Sequence, residues 1–251
     1  MKASDPDVSP WAAGVKAARD NAIPSLFILL AATALVVGYY QVPTLRAWLD
    51  IVGTVNREHP LAFAMLCTGF TAGVIPWCFR MAFPGLRPAR PGLDLLHSVV
   101  WWMFMGVVVC YFYVAQGHWF GTEPSFGVVV RKVVVDQLGF TVLCGAPFNG
   151  ISHLWKDFNW DTARLRAAMG PGWYRRLVLP NLLPNYLVWF PGNIIFYSMP
   201  SELQLPVANC IGCFWALMCV RIATHSGVKS EGGGLNQEYR VRSACTDIDD
   251  R

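Results

Sequence analysis

Residues 23–42 (IPSLFILLAATALVVGYYQV) carry no charge at all. A run of about twenty apolar residues is what an α-helix needs to cross the hydrocarbon core of a bilayer. Within that core the backbone N–H and C=O groups must be satisfied inside the segment, so a helix is the conformation open to it. The run is not isolated. Residues 59–79 have no acidic or basic group, and 95–119 are uncharged around the aromatic stretch WWMFMGVVVCYFY. Three weaker segments follow. Residues 126–152 carry Arg131, Lys132 and Asp136 near their start; 180–200 contain Pro180, Pro184 and Pro191; 203–221 end at Arg221.

Only 14% of the chain is charged and 54% is hydrophobic, against roughly 25% charged in an average soluble domain. The pattern predicts an all-α, polytopic transmembrane helical bundle over 23–224, with six spans or five, in one domain. A tail over 1–22 precedes it and a polar tail over 225–251 follows. Lys and Arg favour the side that is not translocated, which orients the six-span reading. The first tail, the loops after the second and fourth spans and the last tail together hold 16 of the 20 basic residues. Both termini are therefore expected on the positive side.

Between the fourth and fifth spans lies DFNWDTARLRAAMGPGWYRRL. Asn159 is expected to cap a short amphipathic helix that stops at Gly170-Pro171, with Trp160, Leu165 and Met169 on its apolar side. Trp155, Trp173 and Tyr174 beside the arginines suit the headgroup level of a membrane. SPWAAGVKAARD near the start is read as a similar short helix entered through Ser-Pro. The N-terminus, with three aspartates among few serines and arginines, does not read as a transit peptide, and the first apolar block is too long for a signal-peptide core.

Chemistry-bearing residues are sparse. Cys67, Cys78, Cys110, Cys144, Cys210, Cys213 and Cys219 lie in apolar stretches, where a free thiol acts as a small hydrophobe. Cys210 and Cys213 have a C-x-x-C spacing but no partner pair in sequence, so no metal site is expected. His97 and His118 sit at opposite ends of one span, and His153 and His225 are interfacial. There is no G-x-S-x-G, phosphate-cradling loop or H-E-x-x-H, so no catalytic residue and no enzyme is expected. No basic stripe points to nucleic acid. Gly69 and Gly73 form a G-x-x-x-G that lets helix backbones approach. Lys132 and Asp136 stand at i,i+4 with Gln137 beside them. Ionisable groups at membrane depth mark either a pore or gate or a mutually neutralised structural pair, and both readings stand.

From about 59 to 224 the chain resembles the family of the mitochondrial inner-membrane protein Mpv-seventeen and the 22-kilodalton peroxisomal membrane protein. HPLAFAMLCTGFTAG looks like the family's opening, through His59, Pro60, Gly69 and Gly73. After Asp94, GVVVCYFYVAQGHW is similar through Gly106, Phe112, Tyr113 and Trp119. KVVVDQ matches K-x-x-x-D-Q at Lys132, Asp136 and Gln137. NYLVWFPGN resembles the family's N-aromatic-x-x-W-x-P-x-Q through Asn185, Trp189 and Pro191, with Asn193 in the glutamine's place. Pro200 and Trp215 look like the closing helix. The family's Gly-Asp falls at Ile75-Pro76, its following glutamine at Arg80, its arginines after Asp94 at His97 and Trp101, and its histidine before Phe-Tyr at Cys110.

The resemblance implies an organellar membrane, the mitochondrial inner membrane ahead of the peroxisomal one, with both termini in the matrix. It implies two competing functions. One is a small non-selective channel with Lys132, Asp136 and Gln137 at its aqueous entrance. The other is a non-enzymatic accessory subunit of a large respiratory or ATP synthase type complex. The lost polar positions, the additional first span, the aromatic surface and the polar tail favour the subunit. Its expected partners are membrane lipids, structural ones included, and neighbouring subunits met through tails and aromatic faces.

Overall fold

The computed structural model describes residues 22–227 together with Val15 and Arg19. The helix expected within 1–22 and nearly all of the tail expected over 225–251 lie outside the described residues. Among the described residues there are helices and no strand. Residues 27–134 and 191–227 belong to a larger compact unit, and 22–26 with 135–190 to a smaller one.

α1 (Ala22–Gln41), in the larger unit from Phe27 onward, and α2 (Pro43–Glu58) meet at a bend of 103° between Ser25–Gln41 and Pro43–Glu58. The cause is local. Val42 precedes a proline, which disfavours the helical region, and it is extended at φ −114° and ψ 102°. Pro43 then opens α2, where its missing N–H costs nothing. α2 puts Gly53 and Asn56 inward and leaves Trp48, Ile51 and Val55 exposed.

α3 (Pro60–Ala82) and α4 (Pro91–Phe120) form an antiparallel hairpin joined through a 3-10 turn at Pro84–Leu86. α3 contains a π-helical stretch, Gly69–Val74, just before Pro76. Widening the ladder there accommodates a proline that an unbroken α-helix resists. α4 is 30 residues long, which at 1.5 Å per residue is about 45 Å. It stops at Gly121, whose φ of +100° suits a residue without a Cβ. Close approach along the hairpin rests on glycine. A Cβ at Gly73 would stand 3.1 Å from the Val99 Cα, and one at Gly106 would stand 2.9 Å from the Ala64 carbonyl carbon.

α5 (Phe126–Val134) follows α4. The end of α9 (Leu179–Tyr197) and the start of α10 (Ser201–Gly227) complete the larger unit. Leu203, Leu205, Val207 and Ile211 of α10 are buried. Its polar side chains there have partners: Asn209 Nδ2 donates to Thr68 Oγ1 at 3.0 Å, and Gln204 Nε2 to the Met199 carbonyl at 3.1 Å.

The smaller unit starts with a π-helical stretch, Val135–Gly145, followed by α6 (Ala146–Asp157), α7 (Thr162–Ala168), α8 (Trp173–Leu177) and most of α9. Tyr174 donates to the Val142 carbonyl at 2.9 Å and Tyr186 to the Gln137 carbonyl at 3.2 Å. Burial pushes the Tyr174 hydroxyl above its ordinary pKa. The expected surface helix exists, but Asn159 does not cap it. Asp161 does, its Oδ1 accepting from Ala163 N at 2.9 Å and Arg164 N at 3.1 Å. Asn159 and Trp160 stand in the left-handed region, at φ 54° and 62°. A carboxylate complements the positive end of the helix better than an amide, and asparagine tolerates left-handed backbone.

The six-span expectation is not supported. Two described helices, α3 and α4, are long and apolar enough to cross a membrane, or three segments if the bent α1–α2 pair counts as one. The segment 126–152 is split into α5, a π-helical stretch and α6, with Lys132 and Asp136 buried. α9 dilutes its apolar content with Pro180, Pro184, Pro191, Asn181, Asn185 and Asn193. In α10 the apolar residues from Leu203 to Ile211 are largely spent on the chain's own interior.

Candidate functional site

Lys132, on α5, is 2% exposed. Its Nζ lies 5.7 Å from the centre of the Tyr197 ring, within the range in which the ring's negative face attracts a cation. Tyr197 in turn accepts a hydrogen bond at 3.0 Å from Gln116 Nε2. Gln116 is itself fully buried, and its Oε1 has no hydrogen-bond partner among the described residues. Tyr113 stacks on Phe196 with ring centres 5.6 Å apart and meets Tyr197 edge-on at 5.5 Å. Tyr113 and Gln116 stand three residues apart on α4, which places them on one face.

This cluster borders a cavity of about 330 Å³ inside the larger unit. Cys110, Tyr113, Val114 and Leu205 give it apolar walls, and Asn56, Arg57, Lys132 and Glu202 are among its polar lining. Asn56 Nδ2 donates to the Glu202 carbonyl at 2.7 Å. The Arg57 guanidinium pairs with the Glu202 carboxylate at 3.4 Å, where the Arg57 side chain is 62% exposed. The exposed pair marks the outer end and buried Lys132 the inner one.

The other residues singled out from the sequence are scattered. Asp136 Oδ1 accepts from Gln137 Nε2 at 3.0 Å and from Thr141 Oγ1 at 3.4 Å, all in the smaller unit. Asp136 has further partners besides these. An i,i+4 pair faces one side of an α-helix, whereas π-helical bonding from i to i+5 begins at Val135 and alters that relation. Asp94 is buried and bound by Arg80. His59 and Pro60 are exposed at the α2–α3 junction, and Pro60 lines the cavity. Gly69, Gly73 and Gly106 lie along the α3–α4 seam. Trp119 is exposed, while Phe112, Asn185, Trp189, Pro191, Pro200 and Trp215 are half-buried. Asn193 is buried, with its Nδ2 unpartnered among the described residues.

Sequence reasoning passed over Gln116, Tyr197, Asn56 and Glu202. Gln116 had a signal, as the one amide closing the aromatic block of α4. Among the described residues no three His, Cys, Asp or Glu side chains come together as metal ligands would.

No family model, no curated protein and no solved structure matches the chain. The described residues are helical, with two or three segments long and apolar enough to cross a membrane, which is compatible with a membrane location.

Proposed function

We propose that the chain is a non-enzymatic integral membrane protein that serves as an accessory subunit of a large mitochondrial inner-membrane complex, of the respiratory or ATP synthase type, built on an Mpv-seventeen-like bundle. The observation that carries the reading is a packed interior beneath an apolar exterior. Lys132 rests on an aromatic ring and Gln116 on a tyrosine hydroxyl, amid the Tyr113, Phe196 and Tyr197 stack. Such contacts hold helices together and suit a scaffold better than a hydrated conduit. Outside, only 22% of the apolar windows of α3 and α4 is buried within the chain, and Phe126 is 87% exposed. Surfaces of this kind suit lipid and neighbouring membrane subunits. Arg80, at a position where the resemblance expects a glutamine, is neutralised by Asp94.

Extraction in a mild detergent followed by native electrophoresis tests the proposal. The chain is expected in a band far heavier than its own 27.9 kDa. Migration as a monomer, together with ion conductance of the purified protein in planar bilayers, would favour the small non-selective channel instead.

A further inference from the structure

The charged groups lining the cavity do not cancel. Arg57 and Glu202 pair with each other. Among the described residues no hydrogen bond or ion pair reaches the Lys132 Nζ, whose neighbour is the Tyr197 ring. A cation over a ring recovers part of its lost hydration but leaves three N–H donors and one positive charge to be met. Arg57, Glu202 and Lys132 together leave the lining a residual single positive charge, at the buried lysine. Tyr113, Val114 and Leu205 supply apolar lining beside that charge. Val114 is itself exposed on the outer surface of α4, so the apolar wall continues outward from the cavity.

We infer that this cavity binds one anionic phospholipid, its phosphodiester seated against Lys132 and its glycerol and acyl stem along Tyr113, Val114 and Leu205. A phosphodiester carries a single negative charge, which matches the residual charge, and its oxygens accept from an ammonium in the geometry favoured by charge-assisted hydrogen bonds. The cavity volume, about 330 Å³, lies at the lower end of the range for small-molecule sites. It holds a headgroup and stem, and the acyl tails run out over the apolar exterior. Free inorganic phosphate offers the same oxygens but gains nothing from the apolar walls. A zwitterionic lipid brings its own cation and leaves the charge of Lys132 unmatched.

The test uses the full chain, purified and delipidated in detergent, with binding followed by native mass spectrometry and thermal melting. Phosphatidylglycerol is expected to be retained one per chain and to raise the melting temperature, with phosphatidylcholine and millimolar inorganic phosphate doing neither. Lys132→Met is expected to weaken phosphatidylglycerol binding by on the order of a hundredfold, as for loss of one partner in a buried charge pair; Lys132→Arg keeps it. If Lys132→Met does not fold, Val114→Trp fills the cavity from its exposed wall, leaves the cation in place, and is expected to abolish retention. Equal binding of both lipids, or retention unchanged in both Lys132→Met and Val114→Trp, overturns the inference. Stabilisation by inorganic phosphate to the same degree as by phosphatidylglycerol overturns the lipid assignment.

Discussion

Arg80 and Asp94 clasp the α3–α4 hairpin, the guanidinium of one donating to the carboxylate of the other across the turn at Pro84–Leu86. Asp94 lies in the first turn of α4, where the helix dipole also favours a negative charge. Its side chain is 7% exposed and that of Arg80 is 24%, so neither charge is fully hydrated when the other is removed. Breaking one side of a buried pair is far more disruptive than replacing both sides by apolar groups. A double-mutant cycle with Arg80→Met and Asp94→Leu is therefore expected to give a coupling energy of about 1–3 kcal/mol. Detergent unfolding of the two single variants and the double one measures it. Additivity within about 0.3 kcal/mol would mean that the contact does not hold the hairpin.

The seam of the same hairpin makes a sharper steric prediction. At Gly106 a new Cβ would press on the Ala64 backbone and come within 3.0 Å of Thr68 Cβ, whereas at Gly127 it would meet nothing within 4 Å. Backbone cannot swing aside as a flexible side chain can. Gly106→Ala is expected to destabilise by about 1–3 kcal/mol through overpacking. Gly127→Ala, in the first turn of α5, is expected to be neutral or to stabilise by a few tenths of a kcal/mol, as removal of an unneeded glycine does. Thermal melts of the two variants side by side decide the matter, and equal effects would refute the seam.

How far the sequence foretold this molecule depended on what each residue's neighbours were. α3 and α4 were legible almost to their ends, because the uncharged runs, one closed by Arg80 and the other opened after Asp94, leave few alternatives. The count of six spans, which took absence of charge as sufficient, is not supported by the described helices. Asn181, Asn185 and Asn193 are neutral, yet each brings an amide that hydrocarbon does not satisfy, and Asn193 is buried inside the larger unit. The candidate site was half legible. Lys132 stood out as a cation in an apolar run. Its partner Tyr197 did not, because the chain is rich in aromatics and nothing in one sequence says which ring meets which cation. Gln116 and Glu202 come from α4 and α10, far apart in the chain, so their convergence on one cavity belongs to the tertiary fold.

The cap of α7 shows how a local reading can miss by two residues, and it is open to measurement. Asp161 and Asn159 are both suitable capping types just ahead of the helix, but Asp161 carries the hydrogen bonds while Asn159 takes the left-handed turn at φ 54°. Asp161→Ala is expected to cost about 1 kcal/mol, the usual loss for a cap. Asn159→Gly is expected to be neutral or slightly stabilising, because glycine populates positive φ without penalty. The cap itself is tested by Asp161→Ala, and Asn159→Ala tests the backbone strain at position 159. A strained backbone makes alanine worse than glycine at position 159, by about 1 kcal/mol. Alanine and glycine equal at 159 would mean that the left-handed backbone carries no strain there, and Asp161→Ala without effect would refute the Asp161 cap.

The hairpin also fixes a topology that labelling can read. α3 and α4 run antiparallel, with Gly73 beside Val99 and Gly106 beside Ala64, so the turn near Arg87 and the loop near Thr122 lie at opposite ends of the pair. If both helices cross a bilayer, those ends face opposite compartments. Single cysteines placed at Arg87 and at Thr122, in a chain otherwise freed of its eight cysteines, are expected to react with a membrane-impermeant thiol reagent from opposite sides of sealed vesicles. The basic cluster Arg80, Arg87 and Arg90 around the turn predicts which side is which, because basic loops stay on the side from which the chain is inserted. Labelling of both positions from one side would show that the hairpin does not span. The exposed apolar surface of α3 and α4 would then have to be covered by protein instead of lipid.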